Sequence, residues 1–383
     1  MSRLAVEGGE PTAPRKVSLV KPTFSQKDAE DIATILKTGY VRMGPYTREF
    51  EERFAARVGT KYAYAVCNGT AALHCAYLST LKPGDEVIAP AFTFIATVST
   101  AILSGARPVF ADIDPETYLI DPESVKERIT LRARAIAPVH LFGNSCDMKA
   151  ITDIAEDHNL AIINDCAQAH GTEYKCKDLG AWPHIGCYSF YPTKTMTTGE
   201  GGMVTTDDPK LYGAGCLIRS HGDDARYHHI RLGLNYRITD IMSAIGLKQL
   251  AELDDYLAKR RKIGKTLREA LAKIEGVKPQ KVTPGANPSY SYFSVAINPE
   301  SIKCSRDDFV KALQAENIEC GIHYPAPLTK QPAIIDTMKP EPCPVSEEVS
   351  RNILSLPMHP YLTDEEVNWI IEAVEKVTSH YHK

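Results

Sequence analysis

The sequence predicts an α/β protein: a three-layer α/β/α large domain around a mostly parallel central sheet, with a smaller α+β domain at its C-terminal end. Three observations carry that expectation. Short β-like runs alternate with helix-sized intervals from about Lys61 to about Tyr212, the pattern of parallel βαβ units with helices covering a sheet. After 204–206 the alternation gives way to one long helical segment and then to mixed strands and helices. A chain of 383 residues is also longer than one core comfortably fills, so about two domains are expected. They divide as 1–255, a large domain that includes the N-terminal segment, and 256–383, the small domain.

Taken in order, Tyr62-Ala63-Tyr64-Ala65-Val66 reads as a strand and 70–81 as the helix that follows it. Strands follow at 86–89, 108–111, 135–139 and 161–163, with a helix at 97–103 between the first two. Runs this short, separated by helices, imply parallel pairing. Thr239 is placed to cap a helix towards Leu271, dense in Leu, Lys, Arg and Glu, which leads out of the large domain. Beyond it 290–295 reads as a strand, Ser305 caps a helix through Ala315, and Thr363 caps an amphipathic helix to Val377.

Charge and motif content narrow the function. With 44 Lys and Arg against 48 Asp and Glu, a net of -4, the chain lacks the cationic excess of a non-specific nucleic-acid binder, so no DNA or RNA partner is expected. The first ten residues hold no apolar run of signal-peptide length, which reads as a cytoplasmic start. Residues 87–106 are uncharged over 20 positions, the length of a membrane span, but Pro90 and a series of Thr and Ser split them into a strand and a buried helix. No membrane association is expected. The 10 cysteines form no C-x-x-C pair, and neither His228-His229 nor any H-E-x-x-H motif offers a zinc site, so free thiols and no metal are expected. Gly264-Lys265-Thr266 imitates the tail of a phosphate-binding loop, yet Lys259 stands in the first glycine's place and the triplet lies in a helix-forming run.

Four local features fall at the ends of predicted strands or helices, where an open α/β sheet gathers its ligand site. At Asn68-Gly69-Thr70-Ala71-Ala72-Leu73 a glycine opens a helix, leaving free N–H groups and the Thr70 hydroxyl on the positive end of its dipole, an anion site. Asp165 follows the apolar run 160–163 directly; a carboxylate at a strand end requires a cationic partner. Lys194 sits on a hydroxyl- and glycine-rich turn, Ser189-Phe190-Tyr191-Pro192-Thr193-Lys194, and Phe94 is an aromatic just after a strand. Each has a bland alternative: a turn, a helix cap, a solvated lysine, a core phenylalanine. Together they meet the needs of pyridoxal 5'-phosphate: a lysine for the Schiff base, a carboxylate for the pyridine nitrogen, an anion site for the phosphate and a flat partner for the ring.

The order of these motifs, with Asp165-Cys166-Ala167-Gln168-Ala169-His170-Gly171, Gly199-Glu200-Gly201-Gly202 and Gly233-Leu234-Asn235-Tyr236-Arg237, resembles the DegT/StrS-type sugar aminotransferases, which are fold type I pyridoxal-phosphate enzymes. The likeness runs from Gly44-Pro45 to Leu356-Pro357-Met358-His359-Pro360-Tyr361. It implies that Lys194 carries the Schiff base and Asp165 pairs with the pyridine nitrogen. Gln168 would lie near the ring hydroxyl, Gly69, Thr70, Ala71 and Ser189 would hold the phosphate, and Phe94 would stack on the ring. Asn235 would reach the phosphate in a neighbouring subunit, implying a homodimer with shared sites. Relatives with histidine at the lysine position are dehydratases; Lys194 favours transamination, with a glutamate or glutamine donor and a ping-pong cycle.

The acceptor is less defined. The loop from Arg219 to Arg231, with His221 and Arg231, is basic and aromatic and suits a nucleotide diphosphate by charge-assisted hydrogen bonds. Tyr191, His323 and Tyr324 are the remaining substrate candidates. The segments around Gly199 and Asn235 look like family members that aminate C4 of a nucleotide-linked 4-keto-6-deoxy sugar. By contrast, His323-Tyr324-Pro325-Ala326-Pro327 and Glu7-Gly8-Gly9-Glu10-Pro11 look like members acting at C3 or on keto-cyclitols such as an inosose. A nucleotide-linked 4-keto-6-deoxy sugar is the first expectation and a 3-keto sugar or keto-cyclitol the second. A non-catalytic regulatory protein on the same fold is the rival from another class, and the complete Lys194, Asp165 and Ser189 set argues against it.

Overall fold

The computed structural model describes residues 3–383. Seven strands form the central sheet: β1 (Tyr62–Val66), β2 (Glu86–Pro90), β3 (Arg107–Ala111), β4 (Ala133–Ile136), β5 (Ala161–Asp165), β6 (Ile185–Ser189) and β7 (Gly202–Thr206). Their order is β1-β7-β6-β5-β4-β2-β3, with β7 antiparallel to both neighbours and the pairs from β6 to β3 parallel. The sheet is thus mostly parallel, and its two faces are filled by different residues of the same strands. On β1, Ala63 and Ala65 join one buried cluster while Tyr64 and Val66 join the other. On β2, Ile88 faces the first and Val87 and Ala89 the second. Period-two alternation with both faces apolar is what a sheet between two helical layers requires.

The helices start where side chains satisfy their free N–H groups. Asn68 accepts from the Ala71 N–H at 2.8 Å and opens the helix Gly69–Thr80, which packs on β6 and β7. Thr239 caps the 32-residue helix Asp240–Leu271, Ser305 caps Arg306–Ala315, and Thr363 forms a capping box on Asp364–Tyr381, as the sequence indicates. Helix Pro45–Val58 follows Gly44, which has no side chain to cap with. Instead Oδ1 of the buried Asp240 accepts from the Gly44 N–H at 2.7 Å and the Thr47 N–H at 3.0 Å.

A second antiparallel sheet, Val277–Pro279, Phe293–Ile297 and Ile353–Leu356, lies under the C-terminal helices with its own apolar cluster. Leu4, Ala13 and Val17 from the N-terminal segment pack into that cluster, and Val17 pairs with Ile318. The uncharged stretch 87–106 resolves into most of β2, a turn and the helix Ala96–Leu103; among the described residues no helix is long and apolar enough to cross a membrane. Gly264 lies inside the long helix, where a Cβ would come within 2.7 Å of the Tyr290 ring; close packing, and not phosphate binding, explains that glycine.

Candidate active site

The parallel strands end on one side of the sheet, and the loops after them enclose a cleft of about 430 Å³. Gly69 and Thr70 enter from the first turn of the helix after β1, Thr93 and Phe94 from the loop after β2, Asp165 from the tip of β5 and Ser189 from the tip of β6. Tyr292, His323 and Tyr324 close the cleft from the second sheet's side of the molecule. An open α/β sheet places its ligand crevice at this end of its strands.

Asp165 is only 5% exposed. Its Oδ2 accepts from the Thr97 hydroxyl at 2.8 Å and its Oδ1 from the Ala167 N–H at 3.1 Å. Thr97 is itself fixed: its Oγ1 lies 3.0 Å from Thr93 Oγ1, and its carbonyl accepts from Tyr77 Oη at 2.8 Å. Burial pushes the Asp165 carboxyl up, while the Thr97 and Ala167 donors and the Lys194 charge pull it down. The balance lies above the ordinary value, so this carboxylate awaits a cation.

Lys194 stands on a turn closed by its own N–H on the Tyr191 carbonyl at 2.9 Å and by the Thr198 N–H on the Phe190 carbonyl at 3.0 Å. Gly199 completes the turn with φ of 85°, a conformation that favours glycine. The amine faces the cleft. Burial brings it down to about 8, with Asp165 acting in the opposite direction, so about a tenth is unprotonated at pH 7 and about half at pH 8.

The rest of the wall is largely aromatic, with Glu200 the one further charged residue on it. Gln168 is held at both ends: Oε1 accepts from the Phe142 N–H at 2.7 Å, and Nε2 donates to Tyr324 Oη at 3.2 Å. The Phe94 ring, 55% exposed, leans over the opening with its centroid 6.0 Å from that of Tyr324. His323 stacks at 4.3 Å on Tyr292, with Nδ1 3.1 Å from Ser355 Oγ. Burial, reinforced by the Lys194 charge, lowers its imidazole to about 4 and keeps it neutral.

Residues 22–375 match the DegT/DnrJ/EryC1/StrS aminotransferase family. The chain belongs to that family. It is 37% identical to the UDP-2-acetamido-2-deoxy-3-oxo-D-glucuronate aminotransferase of Pseudomonas aeruginosa, over 90% of this chain and 94% of that one. It is 35% identical to the GDP-perosamine synthase of Caulobacter vibrioides, over 94% and 98% of the two chains. The X-ray structure of S. venezuelae DesV superposes with a TM-score of 0.90 at 32% identity, covering 95% of this chain and 99% of that one. The protein is a pyridoxal-phosphate-dependent aminotransferase with the fold type I architecture.

The residues of this aminotransferase fit the cofactor. In the first turn of helix Gly69–Thr80 the Ala71 and Ala72 N–H groups are taken by Asn68, which leaves those of Gly69 and Thr70 free beside the two hydroxyls of Thr70 and Ser189. A Cβ on Gly69 would come within 2.5 Å of Ser189 Cβ, so only glycine lets helix and strand tip approach closely enough to share one anion. The cleft therefore offers an amine, a buried carboxylate, a phosphate cradle and an exposed ring.

The structure brings Gly69, Thr70, Phe94, Asp165, Gln168, Ser189, Tyr191, Lys194, His323 and Tyr324 onto the wall of one cleft. It does not bring Ala71, Asn235, His221 or Arg231 there. Ala71 is buried with its N–H on Asn68. Asn235 pairs with Ser220, next to His221, and Arg231 donates to the Leu78 carbonyl at 3.4 Å, all on the segment that leads into and out of a small hairpin. Sequence reasoning missed Thr97, Thr93 and Tyr292. The two threonines stand four apart, a spacing that puts them on one helical face, but nothing local ties that face to Asp165; Tyr292 comes from a distant strand.

Proposed function

We propose that this aminotransferase moves an amino group from glutamate or glutamine to a nucleotide-linked keto sugar, releasing an amino sugar in two half-reactions at one cleft. The carrying observation is that Lys194 and Asp165 line the same cleft, between a phosphate cradle and an aromatic wall suited to a sugar ring. The names of the P. aeruginosa and C. vibrioides relatives support the nucleotide-sugar class.

Pyridoxal phosphate, when bound, supplies an aldehyde for the migrating nitrogen and a ring that accepts the electron pair of the substrate carbon. Gly69, Thr70 and Ser189 hold its phosphate, Phe94 covers its face, and Gln168 lies at its hydroxyl side. Asp165 keeps a negative charge against the ring nitrogen and so favours a proton there. The Lys194 amine, with its pKa near 8, takes the proton from the substrate carbon and delivers it again as acid. Tyr191, His323 and Tyr324 are placed for the acceptor; a neutral His323 orients a hydroxyl without drawing an anion.

The acceptor we favour is a 4-keto-6-deoxy sugar. The name of the P. aeruginosa relative favours a 3-keto sugar as the second reading. We further propose a cytoplasmic homodimer in which Asn235 reaches the neighbouring subunit's phosphate site and His221 and Arg231 meet the nucleotide. The exposed Tyr227, Ile230 and Leu232 beside them support a partner surface there. The purified protein should be yellow, lose that absorbance on adding glutamate, and regain it with the correct keto sugar from a panel of 4-keto, 3-keto and cyclitol acceptors. Lys194→Ala should do neither; turnover by that variant would refute the mechanism.

A further inference from the structure

We infer that Tyr324 is a ligand of the cofactor, its hydroxyl donating a hydrogen bond to the ring oxygen of pyridoxal phosphate beside the Gln168 amide. The inference rests on the placement of Gln168 at the ring's hydroxyl side proposed above. The hydroxyl then belongs to the cofactor, and the acceptor meets only the ring of Tyr324.

The Gln168 side chain has one orientation, because the Phe142 N–H, 2.7 Å from one end, can be accepted only by the carbonyl oxygen Oε1. The other end is therefore the NH2 group, and it donates to Tyr324 Oη at 3.2 Å. A phenol that accepts from an amide must send its own proton elsewhere, and among the described residues no group accepts it. The amide keeps a second N–H as well. Both side chains line the cleft. Two neutral donors 3.2 Å apart can share a single oxygen, and they suit one that carries negative charge and no proton.

Two observations favour the cofactor over the acceptor sugar as the source of that oxygen. Asp165 ends β5 and Gln168 lies in the turn directly after it, so the residues assigned to the ring nitrogen and the ring oxygen come from one short segment. The Tyr324 ring also borders Phe94, the residue placed over the cofactor's face, with centroids 6.0 Å apart. Burial, the neighbouring Tyr292 and the Asp165 charge together raise the Tyr324 hydroxyl well above its ordinary value, so it keeps its proton and remains a donor. In pyridoxal phosphate the ring oxygen neighbours the carbon that joins Lys194. A donor that draws negative charge off this oxygen weakens its hold on the proton of Lys194 Nζ.

The test titrates the yellow absorbance of the cofactor-loaded protein against pH, without substrate, in the parent and in Tyr324→Phe. The midpoint should rise by about one to two units in the variant, the worth of one hydrogen bond to a charged oxygen. Asp165, Glu200, Tyr191, Tyr292 and His323 share the cleft with Lys194 and are common to both proteins, so their effects cancel. A second measurement compares binding of pyridoxal phosphate with that of its analogue lacking the ring hydroxyl, each added to the cofactor-free proteins. The parent should prefer the natural cofactor about tenfold more strongly than the variant does. An unmoved midpoint, or the same preference in both proteins, would overturn the proposal. A variant altered only in its Michaelis constant for the keto acceptor would overturn it too, and assign the hydroxyl to the sugar. A parent that never turns yellow would overturn the cofactor roles of Lys194 and Gln168 along with it.

Discussion

Replacing Asp165 with asparagine separates the charge of this residue from its shape. The carboxylate accepts two hydrogen bonds, from the Ala167 N–H and from the Thr97 hydroxyl. In the variant the amide oxygen keeps the Ala167 N–H, which cannot turn. The Thr97 hydroxyl can turn, accept from the new NH2 group and donate to Thr93 Oγ1, 3.0 Å away. Both the oxygen and the nitrogen of the new side chain thus keep a hydrogen-bond partner, so the fold survives. The Asp165 carboxyl is raised above its ordinary value by burial, and an acid whose folded pKa lies above its unfolded one destabilises the fold once ionised. The cofactor-free variant should therefore melt no lower than the parent at neutral pH. Activity should behave differently. A unit charge about 3 Å from a ring nitrogen, at an effective dielectric of about 20, is worth at most about 5 kcal/mol, or roughly four orders of magnitude. The variant should lose two to four orders of magnitude in the glutamate half-reaction, followed by stopped-flow absorbance, while retaining the cofactor. A half-reaction within tenfold of the parent would refute the assigned role, and a collapsed melting temperature would refute the hydrogen-bond accounting.

Other substitutions test the surrounding structure. Thr97→Val removes a donor that lowers the Asp165 carboxyl, so the acid limb of the pH–rate profile should move to higher pH and Thr97→Ser should restore it; an unmoved limb would remove Thr97 from the site. Gly69→Ala places a Cβ 2.5 Å from Ser189 Cβ, which must open by about 1 Å to reach normal carbon contact; we expect a loss of about 1–3 kcal/mol in denaturant melts together with weaker cofactor binding, and parent-like titrations would contradict it. Uptake of pyridoxal phosphate by the cofactor-free protein should speed up as pH rises through about 8, where Lys194 loses its proton; a midpoint near the ordinary lysine value would refute the burial effect. On stability, the unfolded lysine stays protonated above that pH while the folded one does not, so from Lys194 alone stability should increase with pH from about 8 upward.

The strands were legible because their signals are local. The run at 62–66 is β1, and 86–89 and 161–163 fall short of their strands by one and two residues at the C-terminal end. The caps at Thr239, Ser305 and Thr363 open helices where a hydroxyl can reach an N–H three residues on. The strand expected at 290–295 begins instead at Phe293, because Tyr290 turns with φ of 48°. That of 135–139 ends at Ile136, although Val139 still pairs with Asp165. The helices Gln26–Thr38 and Pro45–Val58 and the strand Ile353–Leu356 carried no signal that was read. Helix Pro45–Val58 is capped by Asp240 from far along the chain, which no local window contains.

By itself the sequence determined the alternation of strands and helices, the family, and the order in which the residues proposed for pyridoxal phosphate appear. These depend on side-chain periodicity, caps and residue types, all written within a few positions. Only the tertiary structure decided which groups share a cleft. It set Thr97 against Asp165 across 68 positions and Tyr324 against Gln168 across 156. It also withdrew Lys194 from water. Burial is a property of everything packed around a group, and so are the proton affinities that this chemistry uses.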